Sequence, residues 1–261
     1  MDFFTSPDWL NRPGPNYAFQ LDHILFIVIS MLIGAGLCFL LHGKEKKTIK
    51  TVLISLWALA IAIELVYYGY LYTMCIVDPA KHPFNIEYML PFHSCLMFLY
   101  VFPFAIFSKN KIIQTAASNF LVIINMIIGF ITLFVGCPGT GCSALSFNGF
   151  QSLALHAIIV ITPMIMVATN YYDIQIGDLK YGLALFGILS LAMWIFDACS
   201  GCDYFYFYDG HTFPVLKEIS ENVHHLVWTL IVVFCYVFTG CAMHFLIILI
   251  KYLINKRKTS A

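Results

Sequence analysis

The chain has 261 residues, of which 61% are hydrophobic and 11% charged, and its mean hydropathy is +0.84. A soluble domain carries roughly one-quarter charged residues, so this composition excludes an ordinary soluble protein and indicates an integral membrane protein. The formal net charge is zero and no nucleic-acid-binding motif is recognisable, so we expect no nucleic-acid partner.

Apolar runs predict seven transmembrane helices, because a span needs about 20 apolar residues. They cover residues 23–41, 50–74, 90–107, 112–136, 150–169, 179–200 and 222–250. The predicted fold class is therefore all-α, a polytopic helical bundle. We expect residues 1–22 to form an interfacial arm, 23–254 a single bundle and 255–261 a basic cytoplasmic tail.

Lysine and arginine residues are unevenly distributed over the two sides of this topology. Eleven lie on one side and three on the other. By the positive-inside rule, the side with eleven faces the cytoplasm. The N-terminus is then outside and the C-terminus inside, which requires an odd number of spans and favours seven.

Polar groups inside the spans cost free energy and usually face a cavity or a partner. Counting about 1.5 Å per residue from the span ends places nearly all of them in the outer half of the bundle. They are, from the surface inward, His224, His225, Asp197, Cys95, His156, Glu64 and Asn125. The sequence therefore predicts one polar cavity that opens on the outer side. Tyr68 follows Glu64 on or near one helical face, and both are expected to line the same cavity. The alternative for Glu64 is a protonated carboxyl that is hydrogen-bonded within the bundle.

The third span opens with the motif LPFHSC, residues 90–95. Pro91 suits the first turn of a helix, which places Cys95 about one turn inside, where N-terminal amides favour a thiolate. His93 points to a different face and is expected to line the cavity. His156, at matching depth on another helix, is the better candidate base for a nucleophilic thiol. The alternative is that Cys95 is a buried packing residue.

LPFHSC resembles the LPLHLC-type signature of the YwaF-like bacterial membrane proteins, which are related to the transmembrane protein 164 family of Cys/His phospholipid acyltransferases. The resemblance extends thinly over most of the chain. It includes Asn125, His156 followed by Pro163, the aromatic residues after Asp203, and a histidine at 224 or 225.

The resemblance implies a lipid acyltransferase of a bacterial plasma membrane, with Cys95 as nucleophile and His156 as general base and acid. A fatty acyl group would pass from a phospholipid to Cys95 as a thioester and then to a lysophospholipid. Asn125 could stabilise the oxyanion or orient the histidine, or it could be a helix–helix hydrogen bond. We expect no cofactor and no metal ion.

Two further cysteine pairs, Cys137 with Cys142 and Cys199 with Cys202, are predicted at the outer face. They could form structural disulfides, bind zinc or carry out redox chemistry. A thiol oxidoreductase is therefore one alternative function, and a transporter or ligand-binding protein is another. The aromatic loop CDYFYFYDGHTFP, residues 202–214, is expected at the membrane interface, or as a lid over the cavity.

Overall fold

A computed structural model describes residues 18–80, 82, 84, 86–139, 143–208 and 214–259. Most of the predicted N-terminal arm lies outside the described residues. The described residues form helices and connecting turns, as the all-α prediction requires.

The helices follow one another along the chain with short connections. They are α1 (Leu21–Leu41), α2 (Lys46–Val77), α3 (Ile86–Met89), α4 (Met97–Phe107), α5 (Lys111–Phe120), α6 (Met126–Gly139), α7 (Phe147–Ala168), α8 (Leu179–Ser200), α9 (Pro214–Asn222) and α10 (His225–Thr259). A 3₁₀ turn, Ser94–Leu96, leads into α4, and a second, Ile176–Asp178, leads into α8. One π-helical segment, Leu121–Asn125, joins α5 directly to α6.

Six of the described helical stretches are long and apolar enough to cross a membrane. The predicted third span corresponds to a shorter apolar helix, Ser94–Phe107. At about 1.5 Å per residue it is some 20 Å long, less than the roughly 30 Å of a hydrocarbon core. The protein is therefore an all-helical integral membrane protein in which one apolar segment is too short to span as a helix alone.

Two membrane helices lie at the centre of the bundle. In an apolar 18-residue stretch of each span, 72% of the residues are buried in Lys111–Phe134 and in Phe147–Ala168, against 22% in α1 and 17% in α10. Gly129 on α6 marks the close approach of the two central helices, since a Cβ there would lie 2.8 Å from Ile159 Cγ2. α1, α2 and α6 pack around α7, and α10 packs against the π-helical segment.

Pro103 determines how α4 meets α2. A proline inside a helix has no N–H, so the carbonyl four residues earlier, that of Leu99, loses its helical partner. The indole Nε1 of Trp57 donates to this carbonyl at 3.0 Å. The Trp57 ring also stacks on Phe102, with centroids 5.8 Å apart. Trp57 thus supplies from α2 the hydrogen bond that Pro103 removes from α4.

His23 joins α1 to α6. Its ring is fully buried, Phe19 N donates to Nδ1 at 3.0 Å, and Nε2 lies 2.8 Å from the Leu133 carbonyl oxygen. Because Nδ1 accepts, Nε2 carries the proton and donates to Leu133. His23 is therefore a neutral structural residue with both nitrogens occupied.

The side on which each loop lies can be tested with inserted reporters, alkaline phosphatase being active only outside and green fluorescent protein fluorescing only inside. We expect active phosphatase after Asp78 and fluorescence after Lys109, because the eleven basic residues mark the cytoplasmic side. Both insertion sites lie in loops, so the helices stay intact. Phosphatase activity at both positions would mean that Ser94–Phe107 does not cross the membrane.

Replacing Trp57 by Phe keeps the ring on Phe102 but leaves the Leu99 carbonyl without a donor. The cost of an unsatisfied buried group is about 1–3 kcal/mol. We expect a lower unfolding temperature for the purified protein, by about 2–4 °C per kcal/mol at this chain length. The control is Trp194→Phe at a 36% exposed position; an equal shift in both variants would contradict the role given to the Trp57 hydrogen bond.

Candidate functional site

Cys95 lies in the first turn of its helix. His93 is extended, with φ −53° and ψ 146°, and Leu96 N donates to its carbonyl at 2.8 Å. Pro91 thus precedes the helix instead of occupying its first turn, which corrects the prediction. Cys95 is half-buried, and its thiol interacts with the backbone amides of Cys95 and Leu96. Amides in this position can stabilise negative charge that develops on sulfur.

Asn125 holds this turn from the π-helical segment. Its side chain is fully buried, and Nδ2 donates to the carbonyl of Cys95 at 3.0 Å and to that of Ser94 at 3.3 Å. The widened π turn, in which Met126 N bonds to Leu121 O, ends at Asn125. Such turns occur frequently at functional sites.

The contacts of Asn125 indicate its role. An amide nitrogen has two protons, and both are used here, while Oδ1 makes no hydrogen bond within the described part of the chain. An oxyanion could receive an Asn125 proton only if one of the two bonds to the turn broke. The geometry therefore favours positioning of the Cys95 turn over direct stabilisation of an oxyanion, and Asn125 makes no hydrogen bond to His156.

The loop 201–208 forms a second wall of the turn. Tyr204 O accepts from Ser94 N at 3.2 Å, and Tyr204 N donates to Asp197 Oδ2 at 3.1 Å. Tyr204, Phe205 and Phe207 are at most 1% exposed. The prediction of an interfacial aromatic loop is wrong for these residues, which fold back into the bundle.

Side chains on α10 fix the loop and the turn from a third direction. Trp228 Nε1 donates to Tyr206 O at 2.9 Å, and Thr229 Oγ1 donates to Phe207 O at the same distance. Tyr236 donates its hydroxyl to Ser94 Oγ at 3.4 Å. Sequence reasoning missed Tyr236, whose position in a long apolar helix gives no sign of this contact.

Glu64 faces the cysteine from α2. It is 4% exposed, accepts a short hydrogen bond from Gln151 Nε2 on α7, and interacts electrostatically with Cys95. Tyr68, one turn further along α2, interacts with both Glu64 and Cys95. Gln151 was not predicted, although an amide five residues before His156 in an apolar helix was a signal for it.

His156 is buried on α7 and has one nitrogen bound. Nδ1 lies 2.6 Å from the Ser152 carbonyl oxygen, which can only accept, so Nδ1 carries the proton. In the neutral ring Nε2 is then an acceptor, and it makes no hydrogen bond within the residues described. In this form Nε2 can act as a base, but it is not hydrogen-bonded to the Cys95 thiol.

The remaining predicted residues lie around this core or apart from it. His93 packs edge-on against Tyr204, with centroids 5.1 Å apart. His224 and His225 are exposed at the start of α10, where the ring centroids of His225 and Tyr208 are 4.4 Å apart. The structure thus does not bring this histidine pair to Cys95.

The structure describes only part of the cysteine pairs that were predicted at the outer face. Cys199 is exposed, Cys202 is buried, and both are free thiols. Cys142 and the side chain of Cys137 lie outside the described residues. Where the structure describes the chain, no group of three or more His, Cys, Asp or Glu side chains could hold a metal ion.

A second polar cluster lies at the other end of the bundle. Asn119 and His244 are fully buried, and Asn119 Nδ2 lies 3.2 Å from both His244 Nδ1 and the Tyr172 hydroxyl. Tyr172 in turn donates to Asp178 at 2.8 Å. Burial, and next the bond to Asp178, raises the pKa of Tyr172 and keeps this donor protonated. The prediction that nearly all polar groups lie in the outer half is therefore wrong.

Comparison with known proteins identifies one family. The model of the TMEM164 family matches residues 18–253, which include the Cys95 turn, Asn125 and His156. No curated protein and no solved structure matches the chain. Because the match covers most of the 261 residues, the chain belongs to the TMEM164 family.

Proposed function

We propose that the protein is a lipid acyltransferase that moves a fatty acyl group from a phospholipid to a lysophospholipid through a thioester on Cys95. The observation that carries the proposal is the Cys95 turn itself. This thiol lies at a helix start inside a membrane protein. Asn125 and Tyr204 bond the backbone of its turn, and Tyr236 bonds the Ser94 side chain. Such fixation is what a nucleophile needs, since orientation accounts for a large part of catalysis.

The first half-reaction transfers the acyl group to sulfur. His156 Nε2 takes the thiol proton, and sulfur attacks the ester carbonyl of the phospholipid. The carbon–oxygen ester bond breaks, and the departing lysophospholipid oxygen takes the proton from Nε2. The protonated Nδ1 stays on the Ser152 carbonyl throughout, which keeps the ring in the tautomer that a base requires.

The second half-reaction returns the acyl group to a lipid. The acceptor hydroxyl gives its proton to His156 Nε2 as its oxygen attacks the thioester carbonyl. The carbon–sulfur bond breaks, and the thiolate takes the proton back. In this scheme His156 reaches Cys95 in the lipid-bound state, because hydrogen bonds between catalytic groups are often long before substrate binds.

The proposal also includes the branch of the family and the membrane in which the protein lies. LPFHSC supports the YwaF-like bacterial branch and a bacterial plasma membrane. The exposed apolar side chains of α1 and α10, such as Leu32 and Phe234, both 66% exposed, suit lipid contact and delivery of lipid substrates from the bilayer.

The apolar stretch between the Cys95 site and the second polar cluster disfavours a transporter. Asn119 and Asn125 are six residues apart, and every side chain between them, from Phe120 to Ile124, is apolar and at most 2% exposed. The second cluster therefore does not provide a continuous polar path along this stretch.

Replacing Cys95 by Ser is expected to abolish a covalent acyl adduct. Wild-type protein incubated with phospholipid should gain the mass of one acyl chain on intact-mass spectrometry, and hydroxylamine should remove it, because a thioester is labile to this nucleophile. His156→Ala should lower the transfer rate about 10²- to 10⁴-fold, the usual contribution of a general base.

The matched control is Cys199→Ser, which changes an exposed thiol outside the turn and outside the loop 201–208. It should keep the adduct and the transfer rate. Loss of activity in this variant together with full activity in Cys95→Ser would instead support the thiol oxidoreductase.

Replacing Asn125 by Leu removes both bonds to the Cys95 turn while keeping the number and branching of the side-chain heavy atoms. We expect kcat to fall up to about 10²-fold, because a displacement near 1 Å can have this effect. The measurement is lysophospholipid acylation by folded, monodisperse protein.

Asn119→Leu is the control for Asn125→Leu, since both asparagines are fully buried on adjoining helical segments. It should lower stability and keep kcat close to wild type. An equal loss of kcat in the two variants would refute a positioning role specific to Asn125.

A further inference from the structure

A groove of about 380 Å³ opens at the basic end of the bundle. It lies between the start of α2, the first turns of α5 and the loop that follows α7. Its lining residues are Lys46, Lys47, Lys50, Ala105, Gln114, Thr115, Ser118, Tyr171, Tyr172 and Asp173. Ala105 is ten residues beyond Cys95, so the groove is separated from the thiol by about 15 Å along the helix.

The groove has an excess of positive charge. Three lysines, Lys46, Lys47 and Lys50, line it, and none of them forms an ion pair with an acidic residue that the structure describes. Its one carboxylate, Asp173, is neutralised by Lys251, whose Nζ lies 2.5 Å from Oδ1. The lysine charges are thus left for a ligand or for solvent.

Backbone and neutral side-chain donors add to the lysines. Glu45, at the N-cap of α2, makes no side-chain hydrogen bond to the first amides of this 32-residue helix, whose residues Lys46 and Lys47 line the groove. Thr115, Ser118 and Tyr171 contribute hydroxyls. Burial raises the pKa of Tyr171, which keeps its phenol protonated and able to donate.

We propose that this groove binds the phosphate of an anionic phospholipid headgroup. A phosphate diester offers the anionic oxygens that ammonium groups, hydroxyls and helix N-terminal amides recognise together. The apolar surface beside the groove favours a lipid over free phosphate: Lys50 Nζ lies 5.0 Å above the ring of Phe107, which is 51% exposed. The site is separate from Cys95, and the inference does not depend on the proposed acyl transfer.

The test measures binding to the purified full-length chain by native mass spectrometry and by thermal shift. The probes are short-chain phosphatidylglycerol, the zwitterionic phosphatidylcholine of the same chain length, and inorganic phosphate. We expect saturable binding of phosphatidylglycerol that weakens as salt increases, and at least about tenfold weaker binding of the other two probes. Equal binding of the two lipids, or protection by inorganic phosphate at the same concentration, would overturn the proposal.

Matched lysine variants locate the site. Lys46→Gln/Lys47→Gln should weaken phosphatidylglycerol binding at least about tenfold, since it removes two charge-assisted donors. Lys109→Gln/Lys111→Gln makes the same change in charge in exposed residues that do not line the groove, and it should bind within about twofold of wild type. An equal loss in both variants would show general electrostatic attraction and overturn the site. The lipid comparison on wild type remains decisive if a variant does not fold.

Discussion

The two hydrogen bonds from Asn125 to the carbonyls of Ser94 and Cys95 are the contacts on which the site depends. Inside a membrane, a break in helical hydrogen bonding leaves backbone groups that water cannot satisfy. The chain makes such a break before α4 and another at Pro103. Side chains from other elements satisfy both, Asn125 at the first and Trp57 at the second.

Hydrogen bonds from other elements hold the irregular cysteine turn in place. Tyr204 accepts from the Ser94 amide, and the loop that carries Tyr204 is itself held by Asp197 and Trp228. The π-helical segment that ends at Asn125 packs against α10, so the bundle supports the turn from several helices at once. Because the turn begins the helix, the backbone amides of Cys95 and Leu96 can interact with the thiol.

Sequence reasoning predicted the membrane class and the long helices well, because apolar runs of about 20 residues are typical of membrane-spanning helices. It failed where a contact depends on the direction in which a side chain points. A depth count gives the position along the helix axis but not the face, so it could not detect that Asn125 reaches the Cys95 carbonyls. Asn119 and His244 were missed because the count was applied to the outer groups alone. The start of α4 was predicted too early, because Pro91 suits an extended segment as well as a first helical turn.

The aromatic loop shows a second limit of sequence. Tyr204, Phe205 and Phe207 have the composition of an interfacial belt, yet they are buried. Asp197 bonds the backbone of Tyr204, Trp228 that of Tyr206 and Thr229 that of Phe207, which holds the loop in the bundle. No periodicity in the sequence encodes these contacts. The π turn is not visible in the sequence either. One extra residue in this turn rotates Asn125 to another face of the helix, while the span keeps an ordinary apolar composition.

The most direct test of the proposed acyl transfer is a pulse–chase of the acyl group on the protein. Wild-type protein is loaded with a labelled acyl chain from phospholipid, freed of the labelled donor, and mixed with unlabelled lysophospholipid and unlabelled phospholipid donor. The account predicts that label leaves the peptide containing Cys95 and enters phospholipid at the same rate, at least as fast as turnover. Label that stays on the protein while unlabelled donor is still converted to product would contradict a thioester on the reaction path.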